Sequence, residues 1–460
     1  MKNTMLWKLT VLLLVLALPL SACGGSNKNE ATADNTAGSS SSSSASGSPA
    51  GNSPAETVEI TFWNCDNVTW QPLYKELVES FNASHPNIKV KMTNVVGNAY
   101  FEKLNAANTA KSGPDVYVLF PPNDEYPKGN IEPLDEYIQR DNLDMSQYFQ
   151  PITDIRSKGP DGKYYGLPRD IGLDAVVYNK DLFDKYGIPY PQEGWTLEDF
   201  REIAKQMTHK EDRVYGTDIF KVMWEGAMLN AGLWNYGADF ANDDDTAAKG
   251  YLDSPAFIEY ATKVQAIVKD GSLVPSSIAS TFNGDMGGLM SGKIAMAHGT
   301  TFGLKTLLDA PFNWGVVSFP APQGGEQHGW ADMVQFVMSS YSKHKDAAWE
   351  FMKYLTSYEA GMKVAETMTW GPSRPQVWID NGLDKDEHLG VFFAQGSKSS
   401  KLPAFLRSTR WSESFDKEAF DAWTDMMYPL GNKALADPAT RLSAAAEAIE
   451  KKLEKNKNRK

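Results

Sequence analysis

Residues 164–189 read YYGLPRDIGLDAVVYNKDLFDKYGIP, and the rest of the chain is arranged about this stretch. A turn containing Gly166 and Pro168 gives way to an apolar run over 173–178. Asn179-Lys180-Asp181 then opens a short helix that Gly187 and Pro189 stop. The pattern predicts a crossover: the chain before it forms one α/β unit, and much of the chain after it forms another. A ligand held between two such units would lie against this segment.

Upstream, Val58-Glu59-Ile60-Thr61-Phe62-Trp63 alternates as a strand. Tyr74, Leu77, Val78 and Phe81 then recur at helical spacing, and His85-Pro86-Asn87 ends that helix before a second strand through Ile88, Val90 and Met92. A helix over 100–111 and a strand over 115–120 complete a β-α-β-α-β order. This is the order of a doubly wound sheet, whose ligands lie at the carboxyl ends of the strands. Trp63, Asn64, Asp66, Asn123 and Asp124 fall at such ends.

Downstream, Thr196 and Asp199 make a capping-box pattern ahead of Phe200, Ile203, Ala204 and Met207. Ser254-Pro255 starts another helix, with Phe257, Ala261, Val264 and Val268 inward and Gly271 past its end. Residues 224–237 are aromatic without a strand period. Strands are expected near 294–297, 314–319 and 334–339. Amphipathic helices are expected over 345–357 and through Leu442, Ala445, Ala446, Ile449 and Leu453.

The amino terminus has a basic start (Lys2, Lys8), an apolar run over 9–18, and Leu20-Ser21-Ala22-Cys23. That is the layout of an export signal, too short for a permanent membrane span. Leu-Ser-Ala-Cys before Gly-Gly-Ser resembles the bacterial lipobox, which implies that residues 1–22 are removed and Cys23 is lipidated. Two acyl chains hold a protein stably to a membrane where one does not. Residues 24–56 are rich in Ser, Ala, Gly, Asn and Thr with no large apolar side chain, so 23–56 is a lipidated Cys and flexible linker spanning about 30 Å.

Loss of Lys2 and Lys8 with the signal moves the formal charge from −13 to −15. An acidic chain without a basic stripe argues against nucleic-acid binding and against adhesion to anionic lipid. With Cys23 lipidated, Cys65 has no disulfide partner and is expected to be a buried thiol. The roughly 400 residues beyond the linker exceed what one core serves, so two domains are expected.

Residues 287–293 nearly match a phosphate-binding loop, but Ile294 replaces the Mg²⁺-ligating hydroxyl and the order of strand and helix looks reversed. The six His and two Cys show no metal-ligand spacing, so no cofactor or metal is expected. Paired carboxylates, as glycoside hydrolysis requires, have candidates in Asp66, Asp124, Asp170, Asp174 and Asp332, with no pair singled out. Trp63, Trp224, Trp234, Trp330 and Trp370 each lie beside small or polar residues. Ring faces flanked by amides and carboxylates suit a neutral polyhydroxylated ligand. His298 is read as a turn residue.

The body resembles the family-1 extracellular solute-binding proteins of ABC importers, the family that includes maltose-binding protein. The pieces that carry the resemblance are Phe81 to Val90 as F-x-x-x-x-P-x-I-x-V, Gly113-Pro114-Asp115-Val116, and Ile131-Glu132-Pro133-Leu134-Asp135. Within the opening stretch they are Tyr165-Gly166-Leu167-Pro168 and Tyr178-Asn179-Lys180-Asp181-Leu182-Phe183, and further on Gly292-Lys293-Ile294-Ala295-Met296. The resemblance implies an α/β fold of two doubly wound lobes joined by a multi-strand hinge, of the type II periplasmic-binding-protein kind. Lobe one would be 57–168 plus 297–333, and lobe two 172–294 plus 335–460. It further implies a monomeric, lipid-anchored capture subunit on the extracytoplasmic face, which hands a sugar or oligosaccharide to permease subunits and is not an enzyme. Its contacts would come from Trp63, Asn64, Asp66, Asn123, Asp124, Arg169, Asp170, Trp370 and Arg374, joined by Trp224, Trp234, Trp330 and Asp332 from the aromatic pattern. Where maltose-binding relatives carry a crossover Glu, this chain has Gly172, which weighs against maltodextrin. The rival readings are a charged or phosphorylated solute on the same fold, a surface glycan-degrading enzyme, and a sensor or adhesion lipoprotein without a transporter.

Overall fold

The computed structural model describes residues 57–119, 128–219, 227–282, 286–325, 327–398, 401, 414–428 and 433–457. The signal sequence, Cys23 and the linker lie outside the described residues.

Two five-stranded sheets build the body. In the first, β1 (Val58–Asn64) pairs in parallel with β2 (Ile88–Asn94) and β3 (Val116–Leu119). β4 (Gly166–Pro168) closes the edge through β10 (Gln335–Met338), which runs antiparallel to both β3 and β4. The period of β1 is that expected of a strand: Ile60, Phe62 and Asn64 point inward and Glu59 outward. The helix α1 (Gln71–Ser84) lays Leu73, Tyr74, Leu77, Val78 and Phe81 on that sheet, and it starts with Pro72 in its first turn, where a missing N–H costs nothing. Phe62 contacts the rings of Tyr74, Phe336 and Phe351 at centroid distances of 5.4–5.9 Å.

The second sheet is centred on β5 (Gly172–Asn179), which is buried along its whole length. β7 (Ile294–Thr300), β8 (Trp314–Val317) and β9 (Trp330–Asp332) all pair antiparallel with β5, and β6 (Tyr215–Thr217) extends the sheet beyond β7. Because side chains alternate along a strand, β5 feeds two cores. Val176 and Tyr178 pack with the helices Leu197–Gln206, Pro255–Lys269, Asp416–Met427 and Pro438–Lys457. Leu173, Ala175 and Val177 pack on the other face with Leu304, Leu307, Trp378 and Phe392. The capping box at Thr196 and Asp199 and the Ser254 cap form as the sequence predicts.

The assignment of chain to sheet corrects the expected one. Residues 297–333 are expected with the first unit, yet β7, β8 and β9 are held by β5 from Gly172 to Asn179. Residues from 335 onward are expected with the second, yet Gln335–Met338 pairs with β3 and β4, and the helix Lys345–Leu355 buries Ala348, Phe351 and Met352 in the first core. An apolar strand has the same period in either sheet, so only hydrogen-bond partners distinguish the two. The near phosphate loop is a short helix, Gly287–Met290, running into β7, which is the reverse of the strand-to-helix order that cradles phosphate.

Candidate functional site

The chain passes between the sheets at 169–171 and again at 333–334, and the two passages are bonded together. Arg169 N–H donates to the Val334 carbonyl, and Val334 N–H donates to Asp170 Oδ1, both at 2.9 Å. A third segment joins them: Ile171 N–H donates to Gly371 O at 2.9 Å, and Asp170 bridges to Pro372.

The fully buried guanidinium of Arg169 sits at this junction. It donates to Asp170 Oδ2 from Nε at 2.7 Å and Nη2 at 2.5 Å, and to Asp66 Oδ2 from Nη1 at 2.6 Å. Tyr74 donates its hydroxyl to the same Asp66 oxygen at 2.6 Å. Trp70 and Trp370 each bring a ring within 5.3 Å of the guanidinium carbon. A planar, delocalised cation suits both the carboxylate fork and the ring faces. Burial pushes the Asp170 carboxyl up to about 6 against the pull of Arg169, so it is ionised at neutral pH. Asp66, Arg169, Asp170 and Trp370 therefore come together in one buried cluster, in which the guanidinium is shared between the two carboxylates. Burial also pushes the neighbouring Cys65 thiol up to about 12, as expected for an unreactive cysteine.

The second cluster lies on one face of the second sheet, where β5 begins. Gly172 faces Asp332 and Asp174 faces Trp330 across the β5–β9 ladder, while Asp174 faces Thr300 across β5–β7. Directly paired residues share a face. His298 stands on it too, with Nε2 at 3.0 Å from Asp174 Oδ2, so it is a strand residue and not the expected turn residue. Asp174 Oδ1 is buried and has no partner among the described residues. Asp332 pairs with Arg156 Nε at 2.6 Å, and burial pushes its carboxyl up while Arg156 opposes the shift. Trp330 stacks on Trp234 at 5.9 Å and 13°. Over Gly172 lies the half-buried ring of Phe302: a Cβ there would come within 2.2 Å of it. An aromatic ring thus fills the space that any side chain at position 172 would need.

Four other expected site residues stand elsewhere. The ring of Trp63 is capped by the Lys103 ammonium at 4.2 Å. Asn64 is fully buried, and its Oδ1 accepts from Gln71 at 3.0 Å and Asn94 at 2.7 Å. Arg374 donates to the Thr356 carbonyl at 2.7 Å and to Gln147, and it stacks on Tyr148. Trp234 is buried beneath Trp330. Asn123, Asp124 and Trp224 lie outside the described residues. Sequence reasoning passes over Trp70, Arg156 and Phe302. Trp70 sits four residues before Tyr74, on one side of the α1 start, and that spacing is a usable signal. Arg156 and Phe302 have no local mark.

Two α/β sheets sewn together by short strand passages, with polar and aromatic side chains gathered at the passages, define the class of type II periplasmic binding proteins. The chain belongs to the bacterial extracellular solute-binding protein family, whose model matches residues 76–390. Its relatives and structural neighbours are binding proteins of transporters and not enzymes. It is 26% identical over 333 residues to the sn-glycerol-3-phosphate-binding periplasmic protein UgpB of Rhizobium meliloti, covering 68% of this chain and 75% of that one. An ABC substrate-binding protein of Listeria monocytogenes in complex with cycloalternan superposes with a TM-score of 0.74 at 25% identity, over 87% of this chain and 100% of that one. The sugar-binding protein MalE of Xanthomonas citri shares the fold, with a TM-score of 0.71 at 20% identity over 87% and 98%. Among the described residues no helix is long and apolar enough to cross a membrane.

Proposed function

We propose that this protein is the lipid-anchored substrate-binding subunit of an ABC importer for a neutral sugar or oligosaccharide, which it captures between its two sheets and delivers to the permease. The observation that carries this reading is the face at the start of β5. It combines Trp330 and Phe302 as ring surfaces with Asp174, Asp332 and His298 as hydrogen-bonding groups. A sugar offers a flat C–H face to a ring and hydroxyls to carboxylates, and Asp174 Oδ1 is an acceptor still available for one. The sugar complex of the Listeria relative supports the same chemistry. Separation of the sheets about 169–171, 333–334 and 371–372 is the motion by which such a ligand would enter.

The relationship to glycerol-3-phosphate-binding proteins favours a second reading, a phosphorylated solute on the same face. Electrostatics weigh against it. Arg156, Arg169 and Arg374 are all engaged by internal partners, and two carboxylates stand where a phosphate would need cations.

A panel of mono- and oligosaccharides with glycerol-3-phosphate, read by Trp fluorescence and unfolding midpoint, separates the two. At least one neutral sugar is expected to bind and remain intact, and Phe302→Ala is expected to weaken it about tenfold through lost stacking. A response to glycerol-3-phosphate alone would transfer the assignment to the second reading. The anchor is tested separately: Cys23→Ser is expected to move the protein from the membrane fraction to the soluble one. Retention on the membrane would remove the lipid from the proposal.

A further inference from the structure

The backbone of Phe302 leaves the second sheet just past β7, yet its half-buried ring packs against the first core. The ring therefore spans the two sheets over Gly172. The β-ladder is not what holds it there. Pairing between β5 and β7 ends at Asp174 and Thr300, and the turn that carries Phe302, Thr301–Gly303, lies beyond that end.

Thr301 continues the attachment through its side chain. Its hydroxyl accepts from Leu173 N–H at 2.9 Å and donates to the Ile171 carbonyl at 2.6 Å, so it is bonded in both directions to the crossover. The residue is fully buried. The passage at 371 closes on the same hydroxyl: a Cβ on Gly371 would stand 2.8 Å from Thr301 Oγ1 and 2.4 Å from the Ile171 oxygen, and Ile171 N–H donates to Gly371 O. Next along, Phe302 N–H donates to Thr300 Oγ1 at 3.3 Å, which caps the turn. A buried hydroxyl with a partner on each side holds its backbone in one place, because breaking either bond strands a polar group away from water.

We propose that Thr301 is a positioning residue for sugar binding: its hydroxyl clamps the turn that carries Phe302 to the crossover, so that the ring stands over Gly172 before any sugar arrives. This rests on the reading of the β5 face as a sugar site. Because the clamp lies on the axis about which the sheets would separate, the ring keeps its place in the open cleft, and binding carries no cost for ordering it. The clamp is read without sugar by fluorine NMR of para-fluorophenylalanine placed at Phe302. One narrow line is expected in the otherwise unchanged protein and in Thr301→Ser, which keeps the hydroxyl. Thr301→Val keeps the shape and loses both bonds, and its line is expected to broaden or split. Thr301→Ala removes the same bonds with less crowding and decides the matter if the valine variant does not fold. A second arm follows glucose, maltose, cellobiose and lactose by Trp fluorescence. Whichever of these binds the wild type is expected to bind about tenfold more weakly to Thr301→Val and Thr301→Ala, and normally to Thr301→Ser. A narrow line in folded Thr301→Val or Thr301→Ala overturns the clamp, and unchanged affinity in those variants overturns its part in binding. Silence from all four sugars counts against the reading of the face, and the fluorine line still decides the clamp.

Discussion

Replacement of Arg169 by Met is expected to destabilise the protein by about 3–5 kcal/mol, read as a lower urea midpoint at unchanged slope. Methionine fills much of the same volume between Trp70 and Trp370, so the loss is electrostatic and not a cavity. Asp66 and Asp170 are left buried with no counter-charge. Arg169→Lys is expected to recover only part of this, because one ammonium cannot fork both carboxylates and still lie flat between two rings. The defect also carries a pH signature. The Asp170 carboxyl has a raised value of about 6 in the fold, against 3.8 for a free side chain. Between those values the folded chain holds a proton that the unfolded chain does not, so this group favours folding at low pH and loses that contribution as pH rises through 6. Without Arg169 the carboxyl rises further. The gap between variant and wild type should therefore be widest above pH 6 and narrow on acidification. A gap below about 1 kcal/mol at neutral pH would mean that the two carboxylates are not held by this guanidinium.

Gly172→Ala carries the second large effect. The added Cβ would stand 2.2 Å from the Phe302 ring, and neither side yields easily. Gly172 is fixed in the β5 ladder opposite Asp332, and Phe302 lies in a single turn between β7 and the helix Leu304–Leu308. Overpacking of this kind costs about 1–3 kcal/mol, and the upper end is expected here because backbone or ring must shift. Sugar binding should fall with it, since the ring is moved out of the site. The double variant Gly172→Ala/Phe302→Ala should regain most of the stability and none of the stacking. A single variant as stable as wild type would show that the ring swings aside freely, and the close-packing account of Gly172 would fail.

Local chemistry is legible wherever the cause is local. The α1 stripe from Tyr74 to Phe81, the caps at Thr196 and Ser254, and the turns at Gly187 and Gly271 follow from spacing and from single-residue preferences. The crossover at 169–171 is legible because a glycine-proline turn precedes a run too apolar for anything but a central strand. The partners are not. Asp66 and Arg169 stand 103 residues apart, and nothing in either neighbourhood marks them as an ion pair. Trp370 reads in sequence as a ligand platform, while in the fold it lies within contact of Trp70 and Tyr74 over the Arg169 guanidinium. A tryptophan beside small residues has the same sequence signature in both settings.

For this protein the sequence alone determined that residues 164–189 carry the chain from one α/β unit into another. Periodicity, turn residues and motif order are properties of neighbours along the chain, and they suffice for such statements. Only the tertiary structure decided which sheet each later strand joined, that Arg169 is spent on Asp66 and Asp170, and that Phe302 covers Gly172. Those outcomes depend on which hydrogen-bond edge and which packed surface a distant segment meets, and β5 offers two edges and two faces to segments that look alike in sequence.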